Sequence, residues 1–284
     1  MADVLERELA GLDHLGVTFT TGPSRARRIW DSVWPKLIAV GVVLAVWQLL
    51  VWREWRPEYI FPGPADVFAR LWADLQTAEF WQAVGHTGRR ALVGFALSLL
   101  IGGIVGIALS RSRVLRTGVG PIITGLQTMP SIAWFPLSLL VFGLTEKAIL
   151  FVVVLGAAPS IANGIISGID GVPPMFHRLG TNLGAGNVAM YRDFVVPAAM
   201  PSVIAGLKQG WAFSWRSLMA GELLVIIPGV QAIGTRMSFA REFSDAEGLI
   251  ATMIVILMIG LLVDAVFGSL ERSVLRRRGL AHAR

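Results

Sequence analysis

The chain has 284 residues, of which 54% are apolar and only 15% are charged, and its net charge is +6. A mean hydropathy of +0.64 excludes a soluble domain, and the even spread of apolar residues excludes a soluble domain with a single anchor. The chain is therefore predicted to be an integral membrane protein. Its basic residues lie beside apolar stretches, which indicates a lipid bilayer as the partner rather than nucleic acid.

Apolar stretches long enough to cross a hydrocarbon core of ~30 Å as helices recur along the chain. They predict an all-α membrane protein with about six transmembrane helices, over residues 35–52, 88–110, 118–143, 148–168, 200–226 and 248–268. These spans form one predicted transmembrane domain over 31–275, preceded by a cytoplasmic tail at 1–30 and followed by a basic cytoplasmic tail at 276–284. Most of the Lys and Arg residues then fall on the inside, so both termini are expected in the cytoplasm.

The connection between the first two spans contains a short amphipathic stretch. Pro64 follows the helix-breaking sequence FPGP and is suited to the first turn of a helix. That helix carries its apolar residues on one side, at Val67, Phe68, Leu71 and Leu75. It is too short to span a bilayer, so it is predicted to lie along the surface.

Three spans carry small residues at intervals of four, which place them on one helix face and allow another backbone to approach closely. The faces are Gly94, Ser98, Gly102, Gly106 and Ser110 in the second span; Gly156, Ser160, Gly164 and Gly168 in the fourth; and Ser202, Gly206, Gly210 and Ser214 in the fifth. Their recurrence predicts a compact bundle. The third span instead contains Pro121, Pro130 and Pro136, which predict a kinked or partly unwound helix.

One polar segment, Met175–Pro201, interrupts the apolar second half of the chain. Prolines bound it on both sides, at Pro173-Pro174 and at Pro197 and Pro201, and glycines divide it at Gly184 and Gly186. The pattern predicts a short helix, a glycine turn and a second short helix on the cytoplasmic side. Its exposed apolar residues, Leu183, Val188, Met190 and Phe194, suit the groove of a partner protein, although an ordinary solvated loop is the alternative.

The polar segment resembles the cytoplasmic signature loop of bacterial ABC importer permeases, whose pattern is Glu-Ala-Ala, three residues, Gly, nine residues and Ile-x-Leu-Pro. Gly184 and Pro197 stand thirteen residues apart as that pattern requires, whereas Arg178-Leu179-Gly180 replaces Glu-Ala-Ala. The continuation PAAMPSVIAGLKQGWAFSWRSLMAGELL and the earlier FPGP are similar to the branch that imports nitrate, sulfonates and taurine.

This resemblance implies a type I importer bundle in which residues 170–197 form a coupling loop that docks on a separate ATPase. The implied coupling residues are Arg178, Gly180, Leu183, Gly184, Ala185, Met190, Phe194 and Pro197. It further implies a second permease copy, two ATPase subunits that hold ATP and Mg²⁺, and an extracytoplasmic substrate-binding protein. This chain has no GxxxxGK[ST] motif, so it is expected to bind no cofactor and to be a transport subunit rather than an enzyme.

Charged residues within the fifth span are candidates for the translocation pathway. Arg216 falls near mid-membrane, where an unpartnered charge costs about 2.5–3.5 kcal/mol, so it either pairs with another helix or helps an anion pass through a wet cavity. Lys208 either pairs with Asp264 or extends to the interface. The predicted pathway set is Met129, Trp134, Lys208, Trp211, Trp215, Arg216 and Glu222, with Gln127 as a weaker candidate and with aromatic packing as the alternative to gating.

The predicted function is import of a small anion across the cytoplasmic (inner) membrane of a bacterium, with an aliphatic sulfonate favoured over taurine or nitrate. A self-sufficient secondary transporter or channel is the alternative, in which Arg216 and Asp264 drive ion coupling. The four histidines are scattered without metal-ligand spacing, and no serine has a nearby base in sequence. Neither a metal site nor a catalytic residue is therefore expected.

Overall fold

The computed structural model describes residues 25–277, and all regular secondary structure within that range is helical. The prediction of an all-α protein is confirmed. The chain divides into two compact units between Trp55 and Arg56. The first contains helix α1, Arg25–Trp52, whose residues Val33–Trp52 are apolar and long enough to cross a membrane. Residues 25–30 of the predicted N-terminal tail thus belong to a helix, and the rest of that tail lies outside the described residues.

The second unit is a helical bundle. Its helices are α2 (Pro64–Leu75), α3 (Ala78–Arg111), α4 (Arg113–Thr128), α5 (Phe135–Phe142), α6 (Glu146–Asp170), α7 (Pro174–Asn182), α8 (Asn187–Ala189), α9 (Val196–Leu224), α10 (Ile233–Glu242) and α11 (Ala246–Arg277). By length and composition the described chain has five membrane-spanning helices, or six if a bent pair counts as one span. Residues 276–277 of the predicted C-terminal tail form the end of α11. Residues 278–284 lie outside the described residues.

Helices α3, α6 and α9 pack closely through their small residues. A Cβ atom placed on Gly94 would lie 2.7 Å from the Val153 side chain, and one on Gly102 would lie 2.5 Å from the Ala158 carbonyl oxygen. A Cβ on Gly164 would lie 2.5 Å from the Cα of Gly206, so α6 and α9 touch backbone to backbone. The predicted close packing is confirmed, except at Ser202, which is exposed.

The third span is broken rather than straight. Helix α4 ends at Thr128, a 3₁₀ turn follows over Ser131–Trp134, and the two halves of the span meet at an angle of 103°. Proline at position 130 has no N–H to continue the hydrogen-bonding pattern of α4, which explains the break there. The predicted distortion is confirmed, but Pro121 lies within α4 without ending it.

The polar segment has the predicted helix and glycine turn but a different end. Helix α7 is followed by a turn in which Gly184 has a φ of 72°, a left-handed conformation that favours glycine. Helix α8 then continues through a π-helix, Met190–Val195, directly into α9. The prediction that Pro197 and Pro201 end the segment is therefore wrong: both lie within α9, since a proline in a first turn loses little hydrogen bonding and one further along is tolerated in a spanning helix.

The short helix α2 is present as predicted and begins at Pro64. Val67 is fully buried, whereas Phe68 is exposed, so only part of the predicted apolar face packs against the bundle. Ion pairs fix the helix in place: Asp74 accepts from Arg236 of α10 at 2.9 Å, and Arg70 lies 3.0 Å from Asp245, which precedes α11.

Candidate functional site

Helix α9 exposes a face unlike those of α3 and α11. Between Pro197 and Leu223 its exposed residues are Ser202, Ala205, Gln209 and Arg216, all small or polar. Intervals of seven residues place Ser202, Gln209 and Arg216 along one side of the helix. The exposed faces of α3 and α11 carry large apolar residues instead, including Leu100, Ile104, Leu257 and Leu262. The α9 face is therefore suited to water or protein rather than to lipid tails.

Arg216 lies on this face and lines two cavities. The smaller, which we call the polar cavity, has a volume of about 320 Å³ and lies at the break in the third span. Its lining residues include Gln127, Met129, Ser131, Gly156, Phe213 and Arg216. The break at Pro130 therefore places Met129 and Ser131 near Arg216 of α9.

The larger, apolar cavity has a volume of about 700 Å³ and lies between α9, α10 and α11. Its lining residues include Trp211, Trp215, Arg216, Arg241, Met253 and Asp264. Neither cavity gives Arg216 an acidic partner: no ion pair to it occurs among residues 25–277, and its guanidinium carbon lies 5.7 Å from the centre of the Phe213 ring. Within residues 25–277, Arg216 is therefore unpaired and borders both cavities.

Lys208 pairs with Asp264, which is one of the two alternatives predicted for it. Its Nζ lies 3.2 Å from Asp264 Oδ1 of α11, and the predicted pairing is confirmed. Both side chains are partly exposed. Asp264 also lines the apolar cavity, and its negative charge is balanced by Lys208.

The tryptophans of the predicted pathway fall into two groups. Trp211 and Trp215 stack with ring centres 6.3 Å apart and line the apolar cavity, and Trp211 also packs edge-on against Phe95 of α3. Trp134 packs against the hydrophobic core of the bundle. Trp211 and Trp215 are thus in position both to pack and to border the cavity, whereas the contacts of Trp134 are core contacts.

Glu222 lies in a different environment from the one predicted. Its side chain is fully buried and accepts hydrogen bonds from Thr87 Oγ1 at 2.9 Å, Arg90 Nη1 at 3.1 Å and the Gly234 backbone N–H at 3.1 Å. It lines neither the polar nor the apolar cavity. The structure therefore corrects the prediction that Glu222 belongs to the pathway, because its carboxylate is occupied in joining α3, α9 and α10.

Several residues of these sites were not singled out from the sequence. Thr87 and Arg90 are one helical turn apart in α3, a spacing that places both on one face and would have marked them as candidates to hold a buried acid. Ser131 and Phe213 border the polar cavity, and no feature of the sequence distinguishes them from other residues of a membrane helix.

The polar segment presents an apolar surface that contains two of the four residues predicted for it, Leu183 and Val188. Met175, Leu179, Leu183 and Val188 are exposed, Leu183 at 69% and Val188 at 80%. Met190 and Phe194 are instead half-buried: a Cβ on Gly180 would lie 2.7 Å from Met190 Sδ and 3.2 Å from the Phe194 ring. The prediction that Met190 and Phe194 are exposed is therefore wrong, because the turn at Gly184 folds them beneath α7.

Other contacts fix the polar segment to the bundle. The Ala185 N–H donates to the Gly180 carbonyl at 2.9 Å, which closes the turn, and Val195 is fully buried beside Val172. The Arg111 guanidinium, at the end of α3, lies 4.9 Å from the centre of the Tyr191 ring. Arg178 is exposed and makes no ion pair within the described range.

Residues 98–276 match the family described as binding-protein-dependent transport system inner membrane component. The chain is 29% identical over 242 residues to the putative aliphatic sulfonates transport permease protein SsuC of Escherichia coli (strain K12), covering 85% of this chain and 90% of that protein. It is 26% identical over 238 residues to the taurine transport system permease protein TauC of the same organism, covering 82% and 86%.

Among solved structures, the chain is similar to the MetNI methionine ABC transporter in an inward-facing conformation. The TM-score is 0.59 at 18% sequence identity, over 69% of this chain and 96% of that chain. This likeness shows a shared fold, and the predicted bundle architecture is confirmed.

Proposed function

The chain belongs to the family of binding-protein-dependent transport system inner membrane components, and we propose that it imports a small anion by alternating access driven by a separate ATPase. It is an ABC importer permease of the sulfonate, taurine and nitrate branch, as its residue pattern predicted. Within that branch we propose an aliphatic sulfonate as the substrate, ahead of taurine or nitrate. The similarity to an aliphatic sulfonates permease over 85% of the chain supports this choice.

The observation that carries the proposal is the exposed face of α9, where small and polar residues surround one unpaired cation, Arg216. Polar residues on a helix face are not stabilised by contact with lipid tails, whereas they are favourable along a water-filled pathway. We propose that Arg216, Trp211, Trp215, Met129 and the Lys208–Asp264 pair line this pathway. A cation there stabilises a passing anion without requiring a permanent counter-ion.

We propose that the coupling loop, residues 170–197, docks on the ATPase. Its exposed apolar residues would enter a groove of that subunit, as apolar helix faces do in protein recognition. The turn at Gly184 and the packing of Met190 and Phe194 on Gly180 hold the loop in one shape. Because the segment continues into α9 through the π-helix, a displacement at the docking surface would reach the pathway helix directly.

The proposed assembly contains two copies of this chain, two ATPase subunits and an extracytoplasmic binding protein. ATP and Mg²⁺ would bind to the ATPase subunits. Residues 31–275 would form the transmembrane domain in the cytoplasmic (inner) membrane of a bacterium, with both tails in the cytoplasm. The family is one of inner-membrane components, and the described chain has five or six helices suited to spanning.

Uptake of labelled ethanesulfonate into proteoliposomes tests the proposal. With the chain, its ATPase and its binding protein present and ATP supplied to the cytoplasmic side, we expect accumulation that stops when ATP or either partner is omitted. Accumulation by this chain alone, driven by an ion gradient, would support the secondary transporter instead.

A further inference from the structure

The polar cavity at the break in the third span has hydrogen-bond donors but no acid. Arg216 supplies a guanidinium, and no Asp or Glu is among its lining residues. Gln127 Oε1 accepts a hydrogen bond from Asn163 Nδ2, so the amide group of Gln127 keeps its two N–H donors. The Ser131 hydroxyl has no partner in the part of the chain that the structure describes. These groups are complementary to an oxyanion.

A second observation comes from the wall of this cavity. Ser217 is fully buried, and its hydroxyl has no hydrogen-bond partner within residues 25–277. It lies 2.5 Å from the point where a Cβ of Gly156 would be, and Ser131 Cβ lies 3.3 Å from the same point. Ser217 therefore lies beside Gly156, which lines the cavity, but is not itself a lining residue.

The charges distinguish this cavity from its larger neighbour. The apolar cavity also contains Arg216, but Arg241 and Asp264 line it as well, and the Asp264 carboxylate is paired with Lys208. In the polar cavity the only charged lining residue among those described is Arg216. Its volume of about 320 Å³ is at the lower end of the range for small-molecule sites, which suits a compact head group.

We propose that the polar cavity binds the oxyanion head group of the substrate while it crosses the membrane, with Arg216 as the cation and with Gln127 and Ser131 as hydrogen-bond donors. The inference rests on the proposed import of an anion and adds the place where the anion is held. The proline break is then functional, because it turns Gln127 and Ser131 toward Arg216 from either side of Pro130.

Binding to the full chain in lipid nanodiscs tests the site without the ATPase or the binding protein. The probe is methanesulfonate, with dimethyl sulfone as its uncharged analogue, and the heat of binding is measured by isothermal titration calorimetry. We expect saturable binding of methanesulfonate only. Arg216→Gln should raise its Kd at least tenfold, Gln127→Leu severalfold, and Arg216→Lys less than Arg216→Gln.

Arg241→Gln is the matched control, because Arg241 lines only the apolar cavity, and its Kd should stay within twofold of the wild type. Kd values are compared only between proteins that are equally monodisperse and have the same melting temperature. Equal binding of dimethyl sulfone, an unchanged Kd in Arg216→Gln, or an equal loss in Arg241→Gln would overturn the site. Intact binding without ATP-driven uptake would refute the proposed function instead, whereas normal uptake by Arg216→Gln would refute only the site.

Discussion

Glu222 and Arg216 lie six residues apart on α9, yet their surroundings are opposite. The Glu222 carboxylate is fully buried and has three donors, from Thr87, Arg90 and Gly234. Arg216 is exposed to two cavities and has no acidic partner among the described residues. A charge that is enclosed and fully hydrogen-bonded stabilises one arrangement of helices, whereas an exposed, unpaired charge remains available to a ligand.

Glu222→Ala should destabilise the bundle strongly. The substitution leaves Arg90 buried with only the longer contact to Glu146 at 3.5 Å, and breaking one side of a buried pair typically costs about 3–5 kcal/mol. We expect a large fall in the melting temperature of the detergent-solubilised chain. Replacing both partners, Glu222→Met with Arg90→Met, should recover much of this loss.

Arg89→Gln is the comparison for Glu222→Ala. Arg89 bonds to Glu146 at 2.9 Å, but both side chains are exposed, so its loss should cost less than about 1 kcal/mol. If Glu222→Ala melts no lower than Arg89→Gln, the buried network does not contribute as described.

At the scale of elements, the contact between α6 and α9 depends on two glycines. Gly164 and Gly206 face each other so closely that a Cβ on either would lie 2.5 Å from the Cα of the other. Only backbone shifts can relieve such a contact, since neither side has a rotatable group. The small-residue faces therefore determine how near the pathway helix lies to its neighbour.

Gly206→Ala should lower the melting temperature by several degrees, because overpacking costs about 1–3 kcal/mol and exceeds the gain of about 1 kcal/mol in helix propensity. Gly103→Ala in α3 is the matched control, since no atom lies within 4 Å of its added Cβ, and it should be neutral or stabilising. The melting temperatures of the two variants are measured by thermal unfolding in the same detergent. Equal melting temperatures would show that α6 and α9 separate without cost.

For the whole molecule, the continuity from the polar segment into α9 links the two proposed activities. The helix that carries Arg216 begins where the π-helix ends, so no flexible linker separates the docking surface from the pathway. The Arg111–Tyr191 contact and the buried Val195 add lateral ties to the bundle. In the proposed mechanism, a displacement of the segment would therefore be transmitted to several helices together.

Leu183→Glu and Val188→Glu should each abolish co-purification of the ATPase while leaving the melting temperature of the chain unchanged, because both side chains are exposed and apolar. Thr181→Glu is the control, since helix geometry turns this exposed position away from Leu179 and Leu183. Phe194→Glu should instead lower the melting temperature, because its ring packs on Gly180. Normal assembly with Leu183→Glu and Val188→Glu would contradict docking through this surface.

The sequence by itself determined the features that depend on local pattern. Hydropathy gave the all-helical spanning class, the interval of four marked the packing faces, and Pro130 marked the break in the third span. The Lys208–Asp264 pair was also predictable, because charges at similar depth in neighbouring spans attract each other. Each of these features needs only the helix period, a length or a residue's chemistry.

Only the tertiary structure decided which side chains face each other across large sequence separations. Thr87 and Glu222 are 135 residues apart, and no local pattern indicated that the acid was enclosed rather than in the pathway. Met190 and Phe194 have the same apolar character as Leu183 and Val188, yet the turn at Gly184 buries the first pair and exposes the second. Apolar or charged character is a property of a residue, whereas burial is a property of its neighbours, and those are brought together only by folding.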